Sequence, residues 1–160
     1  MAEKSTSIET TLQITRTFAA SRQKVFEAWI EPEKLSQWMC RVTGQHSTRI
    51  IELDVRVGGQ YRMEVSNPDG TRVFLCGTYR EIKSPERLVF TWQWEGDPDF
   101  GETLVTVDFH ARGESTELVL THERFSNSER RNRHAVGWNG CFDTLKESLR
   151  DRDAGVIRPS

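Results

Sequence analysis

The sequence predicts a single α+β domain in which a long C-terminal helix packs on one face of an antiparallel β-sheet. Apolar residues alternate with a period of two in successive segments from residue 12 to residue 122, and short turn-rich links join these segments. The period of the apolar residues then becomes helical. A chain of 160 residues fits one such domain, predicted at residues 10–150 with flexible tails at 1–9 and 151–160.

The first part of the domain predicts a strand followed by two short helices. The alternating apolar residues of the strand are Leu12, Ile14 and Phe18. Arg16 interrupts this apolar face. Ser21 is a suitable N-cap for the first helix, and Pro32 ends that helix and can open the second one. The apolar residues of the two helices are Val25, Phe26, Trp29, Leu35 and Trp38.

Six further strands follow, separated by turn signals that include Gly58-Gly59 and Asn67-Pro68-Asp69-Gly70. Their alternating residues are Ile51, Leu53 and Val55; Tyr61, Met63 and Val65; Leu88, Phe90, Trp92 and Trp94; Thr103, Val105, Val107 and Phe109; Leu118, Leu120 and His122. Residues 72–82 predict the remaining strand, whose inward face stays open because its apolar residues fall on both faces. Four acidic residues fall outward by parity and are expected to be solvated: Asp54, Glu64, Glu95 and Asp108.

The last predicted element is a long amphipathic helix. Ser126 is in position to cap it, with Glu129 as a capping-box partner three residues on. The apolar stripe of the helix consists of Trp138, Phe142, Leu145 and Leu149. Gly137 lies inside the helix, where glycine is unfavourable, so we expect it to allow a close approach to a strand, an early helix or a pocket.

Composition and charge disfavour several classes of protein. The net charge is −2, with no basic stripe for nucleic acid. The polar N-terminus does not resemble a secretory signal, and no apolar run approaches the roughly 20 residues that cross a bilayer. An odd number of separated cysteines, Cys40, Cys76 and Cys141, predicts free thiols in a cytoplasmic protein. Neither the cysteines nor the dispersed histidines have the spacing of metal ligands, and we expect no cofactor.

Several motifs resemble those of a known family. They are the hairpin Asp54-Val55-Arg56-Val57-Gly58-Gly59-Gln60-Tyr61-Arg62, the strand Pro85-Glu86-Arg87-Leu88-Val89-Phe90-Thr91-Trp92, the segment Leu120-Thr121-His122-Glu123-Arg124-Phe125, and the helix start His134-Ala135-Val136-Gly137-Trp138. Together they resemble bacterial domains similar to the C-terminal domain of the activator of heat shock protein 90 ATPase. That family belongs to the START-like, or SRPBCC, superfamily, which has the birch-pollen-allergen fold. The resemblance covers roughly residues 10–150.

The resemblance implies a helix-grip fold, in which a curved antiparallel sheet wraps around the long C-terminal helix and encloses a pocket. Inward aromatic and apolar residues would line it, and the alternative is that they simply fill the core. Such a pocket encloses on the order of 300–1,000 Å³. The candidate ligand-binding residues are Trp29, Trp38, Tyr61, Met63, Phe90, Trp92, Trp94, Val107, Leu120, His122, His134, Trp138, Cys141 and Phe142.

Three polar residues fall in these inward series. Arg16 requires a carboxylate or an anionic ligand if it is buried, and it is otherwise a surface residue on an edge strand. His122 is either a general base or ligand-orienting donor, or a structural histidine hydrogen-bonded to a backbone carbonyl. His134 lies one helical turn before Trp138. No known catalytic motif accompanies these residues.

Two functions are therefore compared. The leading one is a non-catalytic domain that binds a small hydrophobic molecule, with the stress-related role and the chaperone partner that the resemblance implies. About ten polar residues precede the domain, so we expect the second domain of the eukaryotic activator to be absent and chaperone activation not to be the direct function. The alternative is an acid–base enzyme, similar to a polyketide cyclase or an isomerase, that uses His122 or His134. The protein is expected to be a monomer or homodimer.

Overall fold

The predicted order of elements is confirmed by the computed structural model, which describes residues 10–43 and 45–157, with side chains through residue 150. The strands are β1 (Leu12–Phe18), β2 (Ser47–Leu53), β3 (Gln60–Ser66), β4 (Arg72–Lys83), β5 (Arg87–Trp94), β6 (Thr103–Arg112) and β7 (Ser115–Glu123). The helices are α1 (Arg22–Ile30), α2 (Pro32–Leu35) and α3 (Ser128–Ile157).

The strands form one seven-stranded sheet in the order β1-β7-β6-β5-β4-β3-β2, and every neighbouring pair is antiparallel. Strands β2 to β7 form the predicted meander. Strand β1 instead pairs with β7, so the first and last strands are neighbours and the two short helices bridge from one sheet edge to the other. The sheet curves around α3, and the α+β helix-grip fold expected from the resemblance is confirmed.

The two short helices close one side of the core. Helix α1 begins as predicted, with the Lys24 backbone N–H donating to Ser21 Oγ at 3.3 Å. Pro32 is the first residue of α2. Beyond α2, the indole N–H of Trp38 donates to the Ala28 carbonyl at 3.0 Å. Trp38 is fully buried, and this bond satisfies its one polar group.

Helix α3 carries the predicted apolar stripe, and all four of its residues are buried: Trp138, Phe142, Leu145 and Leu149. The predicted cap at Ser126 is wrong, because Oδ1 of Asn127 accepts from the Arg130 N–H at 2.9 Å. The helix continues through residues 151–157, which were predicted as part of a tail. The predicted tail at 1–9 and residues 158–160 of the other tail lie outside the described residues.

Two strand irregularities determine which residues face the core. A register shift between Ile50 and Glu52 in β2 leaves Ile51 40% exposed, so Ile51 does not share a face with Leu53 as the alternation predicts. Ile50 packs against the core in its place. A second shift between Tyr79 and Glu81 reverses the parity of β4. That shift explains the parity of Ile82, whereas Phe74 and Cys76 lie on the outer face of β4, where the Arg62 guanidinium is 4.4 Å from the centre of the Phe74 ring. The core-facing residues of β4 are Val73, Leu75 and Tyr79 before the shift and Ile82 after it.

The four acidic residues predicted to face solvent each pair with an arginine. The pairs are Asp54 with Arg56 (2.9 Å), Glu64 with Arg49 (2.9 Å), Glu95 with Arg62 (2.7 Å) and Asp108 with Arg87 (3.0 Å). The side chain of Glu64 is only 11% exposed, because Arg72 covers it from the other side at 3.6 Å. The acidic side chains are therefore less solvated than their parity predicts. Ion pairs at a protein surface contribute about 0–1 kcal/mol each.

Candidate functional site

A cavity of about 240 Å³ lies between the sheet and α3 and is open on one side. Helix α3 supplies one wall, strands β3 to β5 supply the other, and the segment between α2 and β2 forms the third side. The lining residues are Cys40, Val42, His46, Val65, Asn67, Val73, Trp92, Trp94, Arg133, His134, Gly137, Trp138 and Cys141. Its volume is slightly below the range expected for pockets that hold drug-sized ligands.

The predicted ligand-binding residues divide into three groups. Five of them line the cavity: Trp92, Trp94, His134, Trp138 and Cys141. Trp29, Tyr61, Met63 and Phe90 instead surround a residual void of about 10 Å³, which is hardly room for one water molecule. Trp38, Val107, Leu120, His122 and Phe142 are almost fully buried in the core and do not line the cavity. The aromatic rows therefore fill the core at one end and form an open wall at the other.

His122 is held behind the cavity wall by a chain of hydrogen bonds. The indole N–H of Trp138 donates to His122 Nδ1 at 3.1 Å, so the ring proton lies on Nε2. That N–H donates to Thr103 Oγ1 at 2.7 Å. The Thr103 hydroxyl in turn donates to the Trp92 carbonyl at 2.7 Å. Burial, followed by the nearby His134, holds the His122 pKa well below its usual value. The ring is therefore neutral, and both of its nitrogens are occupied.

His134 has the opposite tautomer and is equally well satisfied. The indole N–H of Trp94 donates to His134 Nε2 at 2.9 Å, which leaves Nδ1–H to donate to the Arg130 carbonyl at 2.9 Å. Burial is the main cause that lowers the pKa of His134. The hydrogen bond to Arg130 opposes this effect, and the charges of Arg130 and Arg133 add to it. The ring of His134 contributes apolar surface and lies 5.5 Å from that of His122.

These contacts argue against the alternative that His122 or His134 is an acid–base catalyst. The two histidine rings are neighbours, but only His134 lines the cavity. A general base must present a free lone pair to the substrate. The lone pair of each ring already accepts an indole N–H, from Trp138 and Trp94 respectively. The arrangement is that of two structural histidines which fix the tryptophans of the wall, and their partners are side chains rather than the expected backbone carbonyl for His122.

Arg16 has a carboxylate partner on the last helix. Its guanidinium donates to Asp143 at 2.7 Å and lies 6.0 Å from the centre of the Phe142 ring. The Arg16 side chain is 25% exposed and does not line the cavity. Arg16 therefore has a carboxylate partner and is also a partly exposed residue of an edge strand, since β1 lies at one edge of the sheet. The pair connects β1 to α3.

Two thiols that are far apart in the sequence meet at the cavity. Cys40 and Cys141 both line it and both are buried, and Cys76 is the third free cysteine. Burial raises the pKa of Cys40, and the adjacent Cys141 raises it further. Burial also raises the pKa of Cys141 to about 12. The two groups are therefore protonated thiols that add soft apolar surface to the wall.

Three polar residues of the cavity are not among the predicted ones, and two of them, His46 and Asn67, come from irregular segments. His46 follows α2, Asn67 lies in the turn after β3, and Arg133 precedes His134 on α3. Parity with Tyr61 and Met63 could have identified Val65 as a lining residue. No comparable signal marks His46 or Asn67, because residues in irregular segments have no periodicity to place them.

Two glycines of α3 differ in what surrounds them. A Cβ added to Gly137 would meet no atom within 4 Å, because this glycine faces the cavity. A Cβ added to Gly140 would lie 2.6 Å from Val42 Cγ1 and 3.2 Å from the Val42 carbonyl oxygen. The pocket was among the surroundings expected for Gly137. The close approach of another segment to α3 occurs one turn later, at Gly140.

Alanine substitutions at these two glycines should therefore have opposite effects on stability. Gly137→Ala should raise the free energy of unfolding by about 0.5–1 kcal/mol, because alanine is the better helix former. Gly140→Ala should lower it by about 1–3 kcal/mol, because Val42 would have to move. Urea denaturation of the two variants beside the wild type tests this contrast. Equal effects would contradict the placement of α3 against Val42.

The described part of the chain contains no helix apolar and long enough to span a membrane. Within the same residues, no group of three or more His, Cys, Asp and Glu side chains is arranged to hold a metal ion.

Comparison with solved structures supports the fold. Protein CV1439 from Chromobacterium violaceum matches with a TM-score of 0.77 and 22% identity, over 86% of this chain and 95% of that one. A protein from Arthrobacter aurescens matches with a TM-score of 0.79 and 19% identity, over 90% of this chain and 88% of the other. Mll3558 from Rhizobium loti matches with a TM-score of 0.70 and 26% identity, over 87% and 96% of the two chains.

The comparison with curated proteins gives no match. Residues 19–150 match the family described as "Activator of Hsp90 ATPase homolog 1-like protein". The match spans most of the chain, including both short helices, every strand after β1 and the cavity-lining part of α3. This chain therefore belongs to the Activator of Hsp90 ATPase homolog 1-like family.

Proposed function

We propose that this protein binds a small aromatic or otherwise apolar molecule in the cavity between the sheet and α3. The observation that carries the proposal is an open wall of three indole rings, Trp92, Trp94 and Trp138, next to a core that is otherwise filled. Protein interiors are close-packed, and voids larger than a water molecule are few. An apolar cavity of about 240 Å³ that is open to solvent is therefore a favourable place for a ligand.

The geometry of the wall suits a flat ligand. The rings of Trp92 and Trp138 are 4.9 Å apart, and those of Trp92 and Trp94 are 5.8 Å apart at nearly a right angle. Hydrogen bonds to His122 and His134 fix the orientation of Trp138 and Trp94 before any ligand arrives. A preformed wall loses little side-chain entropy on binding, which favours affinity.

The same contacts favour binding over acid–base chemistry. The two histidines hold the wall with their ring nitrogens, as described above, and proton transfer to a ligand would require breaking one of those bonds.

The family description names a chaperone activator, so a chaperone remains a candidate partner. A stress-related role, a cytoplasmic location and a monomeric or homodimeric state are further parts of this proposal, the location being supported by the three free thiols.

Filling the cavity from Gly137 tests the proposal. Gly137→Leu should place a side chain in the cavity without disturbing the core, because nothing lies within 4 Å of a Cβ at this position. Isothermal titration with the neutral probe 1-naphthylacetamide should show binding to the wild type, weakened at least about tenfold in the variant. Val136→Leu is the matched control, because Val136 is 69% exposed on the same helix and does not line the cavity.

Two outcomes would contradict the proposal. In the first, none of the three proteins binds the probe. In the second, Gly137→Leu binds it as tightly as the wild type, which would place the probe elsewhere on the surface. Native mass spectrometry of freshly purified protein provides a complementary test, because a co-purifying small molecule should be absent from the Gly137→Leu variant.

A further inference from the structure

We propose that the ligand is a small aromatic acid whose anionic group is bound at the rim of the cavity by Arg133, with His46 as a second donor. This inference rests on the proposed function, since it specifies the chemistry of the ligand that the cavity would hold. It follows from where the charges and the free hydrogen-bond donors of the cavity lie.

The charged side chain that lines the cavity is positive. Arg133 contributes a guanidinium, and no Asp or Glu occurs among the described residues that line the cavity. The remaining side chains of the lining are apolar, aromatic, thiol, imidazole or amide groups. A carboxylate at the rim would meet a cation there without an opposing carboxylate on the wall.

The indole donors of the cavity wall are not accessible to a ligand. The indole N–H groups of Trp94 and Trp138 donate to His134 and His122. The indole nitrogen of Trp92 has no partner, but it is completely covered by surrounding atoms and so does not face the open volume. The deeper wall therefore offers ring faces without accessible indole donors, and a polar group of the ligand is best satisfied at the rim.

Arg133 is able to change partners. It donates to Glu129 at 2.9 Å, and both side chains of this pair are more than 70% exposed. Such exposed pairs contribute at most about 1 kcal/mol, so a ligand carboxylate can compete with Glu129. The planar guanidinium can also bind both oxygens of a carboxylate at once, which adds strength and fixes orientation.

His46 presents a second donor at the rim. Its Nδ1 accepts from the Thr43 backbone N–H at 3.2 Å and lies 2.8 Å from the Thr43 hydroxyl. Nδ1 is therefore an acceptor, and the ring N–H that can donate to a ligand is the one at Nε2. His46 comes from the segment before β2, whereas Arg133 comes from α3, so the two donors reach the cavity from different elements.

A pair of nearly isosteric probes tests the inference. 1-Naphthylacetate is ionised at pH 7.5, and 1-naphthylacetamide has nearly the same shape without the charge. In isothermal titrations the wild type should bind the acid at least about tenfold more tightly than the amide. Arg133→Gln should abolish this preference, because it should lower the affinity for the acid and leave the affinity for the amide unchanged. Arg150→Gln is the matched control, because Arg150 is another exposed arginine of α3 that pairs with a glutamate of its own helix.

The possible results separate this inference from the proposed function. If the wild type binds the amide as tightly as the acid, the anionic group is not recognised and the inference fails, while ligand binding stands. If the acid is preferred and Arg133→Gln keeps the preference, the assignment to Arg133 is wrong. If neither probe binds, the proposed function fails and this inference fails with it.

Discussion

Trp138→Ala should yield a largely unfolded or aggregating protein. Trp138 is 2% exposed, and its ring lies 4.9 Å from Trp92, 5.6 Å from Phe142 and 6.0 Å from Trp29. Truncating a buried tryptophan costs about 3–5 kcal/mol. The variant would also leave His122 Nδ1 without its donor, and an unsatisfied buried acceptor costs about 1–3 kcal/mol more. Since a domain has only about 5–15 kcal/mol of stability, few native molecules should remain.

Two phenylalanine variants separate the packing of an indole ring from its hydrogen bond. Trp138→Phe keeps an aromatic ring but removes the N–H that donates to His122. Trp92→Phe also keeps a ring, and the N–H that it removes has no partner among the described residues. Trp138→Phe should therefore be the more destabilising of the two by about 1–3 kcal/mol, because only this change leaves a buried acceptor unsatisfied.

Urea denaturation followed by circular dichroism measures all three variants on one scale. An unchanged midpoint for Trp138→Ala would show that Trp138 is a cavity wall with little role in packing. Equal midpoints for the two phenylalanine variants would instead contradict the hydrogen bond to His122. The three variants thus test the two roles of Trp138 independently.

The order of elements could be predicted because each element carries its own local signal. Alternation identifies the strands, the Trp138 stripe identifies α3, and Ser21 with Pro32 marks the short helices. The faces of β2 and β4 could not be predicted beyond their bulges, since one extra residue reverses the parity of every residue that follows it. Ile51 is exposed for this reason.

The site was only partly predictable, because the sequence does not distinguish a packed aromatic row from an open one. Phe90, Trp92 and Trp94 have the same parity on β5, yet Phe90 is packed in the core, Trp92 borders both the core and the cavity, and Trp94 lies at the cavity. The difference arises from what lies opposite each residue. Phe90 packs against the rings of Trp29, Tyr61 and Tyr79. Trp94 instead borders the cavity that Gly137 of α3 also lines, and the missing side chain of Gly137 leaves space open there.

The hydrogen-bond partners of the two histidines likewise could not be predicted from the sequence. Their inward position was predictable from alternation and helical spacing, but their tautomers depend on partners that are distant in sequence. The indole N–H of Trp138 donates to His122, and the indole N–H of Trp94 donates to His134. Only the assembled fold shows that these two pairs exist and that all four ring nitrogens of the histidines have partners.

Acidification should weaken the fold through these same two histidines. The pKa of His122 is held well below its usual value by burial and then by His134, and the pKa of His134 is lowered mainly by burial. In the unfolded chain both groups titrate near about 6.5. Below that pH the unfolded state binds more protons than the folded state. The stabilisation is therefore complete above about pH 6.5 and is lost as the pH falls toward the lowered folded-state values.

The expected loss is large, because each histidine contributes up to about 1.4 kcal/mol per pH unit in this window. Between pH 6.5 and pH 5 the free energy of unfolding should fall by up to about 3 kcal/mol, as measured by urea denaturation at a series of pH values. The carboxyl groups whose pKa values are lowered, on Asp69, Glu95 and Asp97, titrate below this window and should contribute little to the slope within it. His134→Gln keeps an oxygen that can accept from Trp94 and should make the slope shallower, because only His122 would then contribute. A free energy of unfolding that stays constant from pH 7.5 to pH 5 would show that the two histidines are not buried as neutral rings, and that the wall of the cavity is held in some other way.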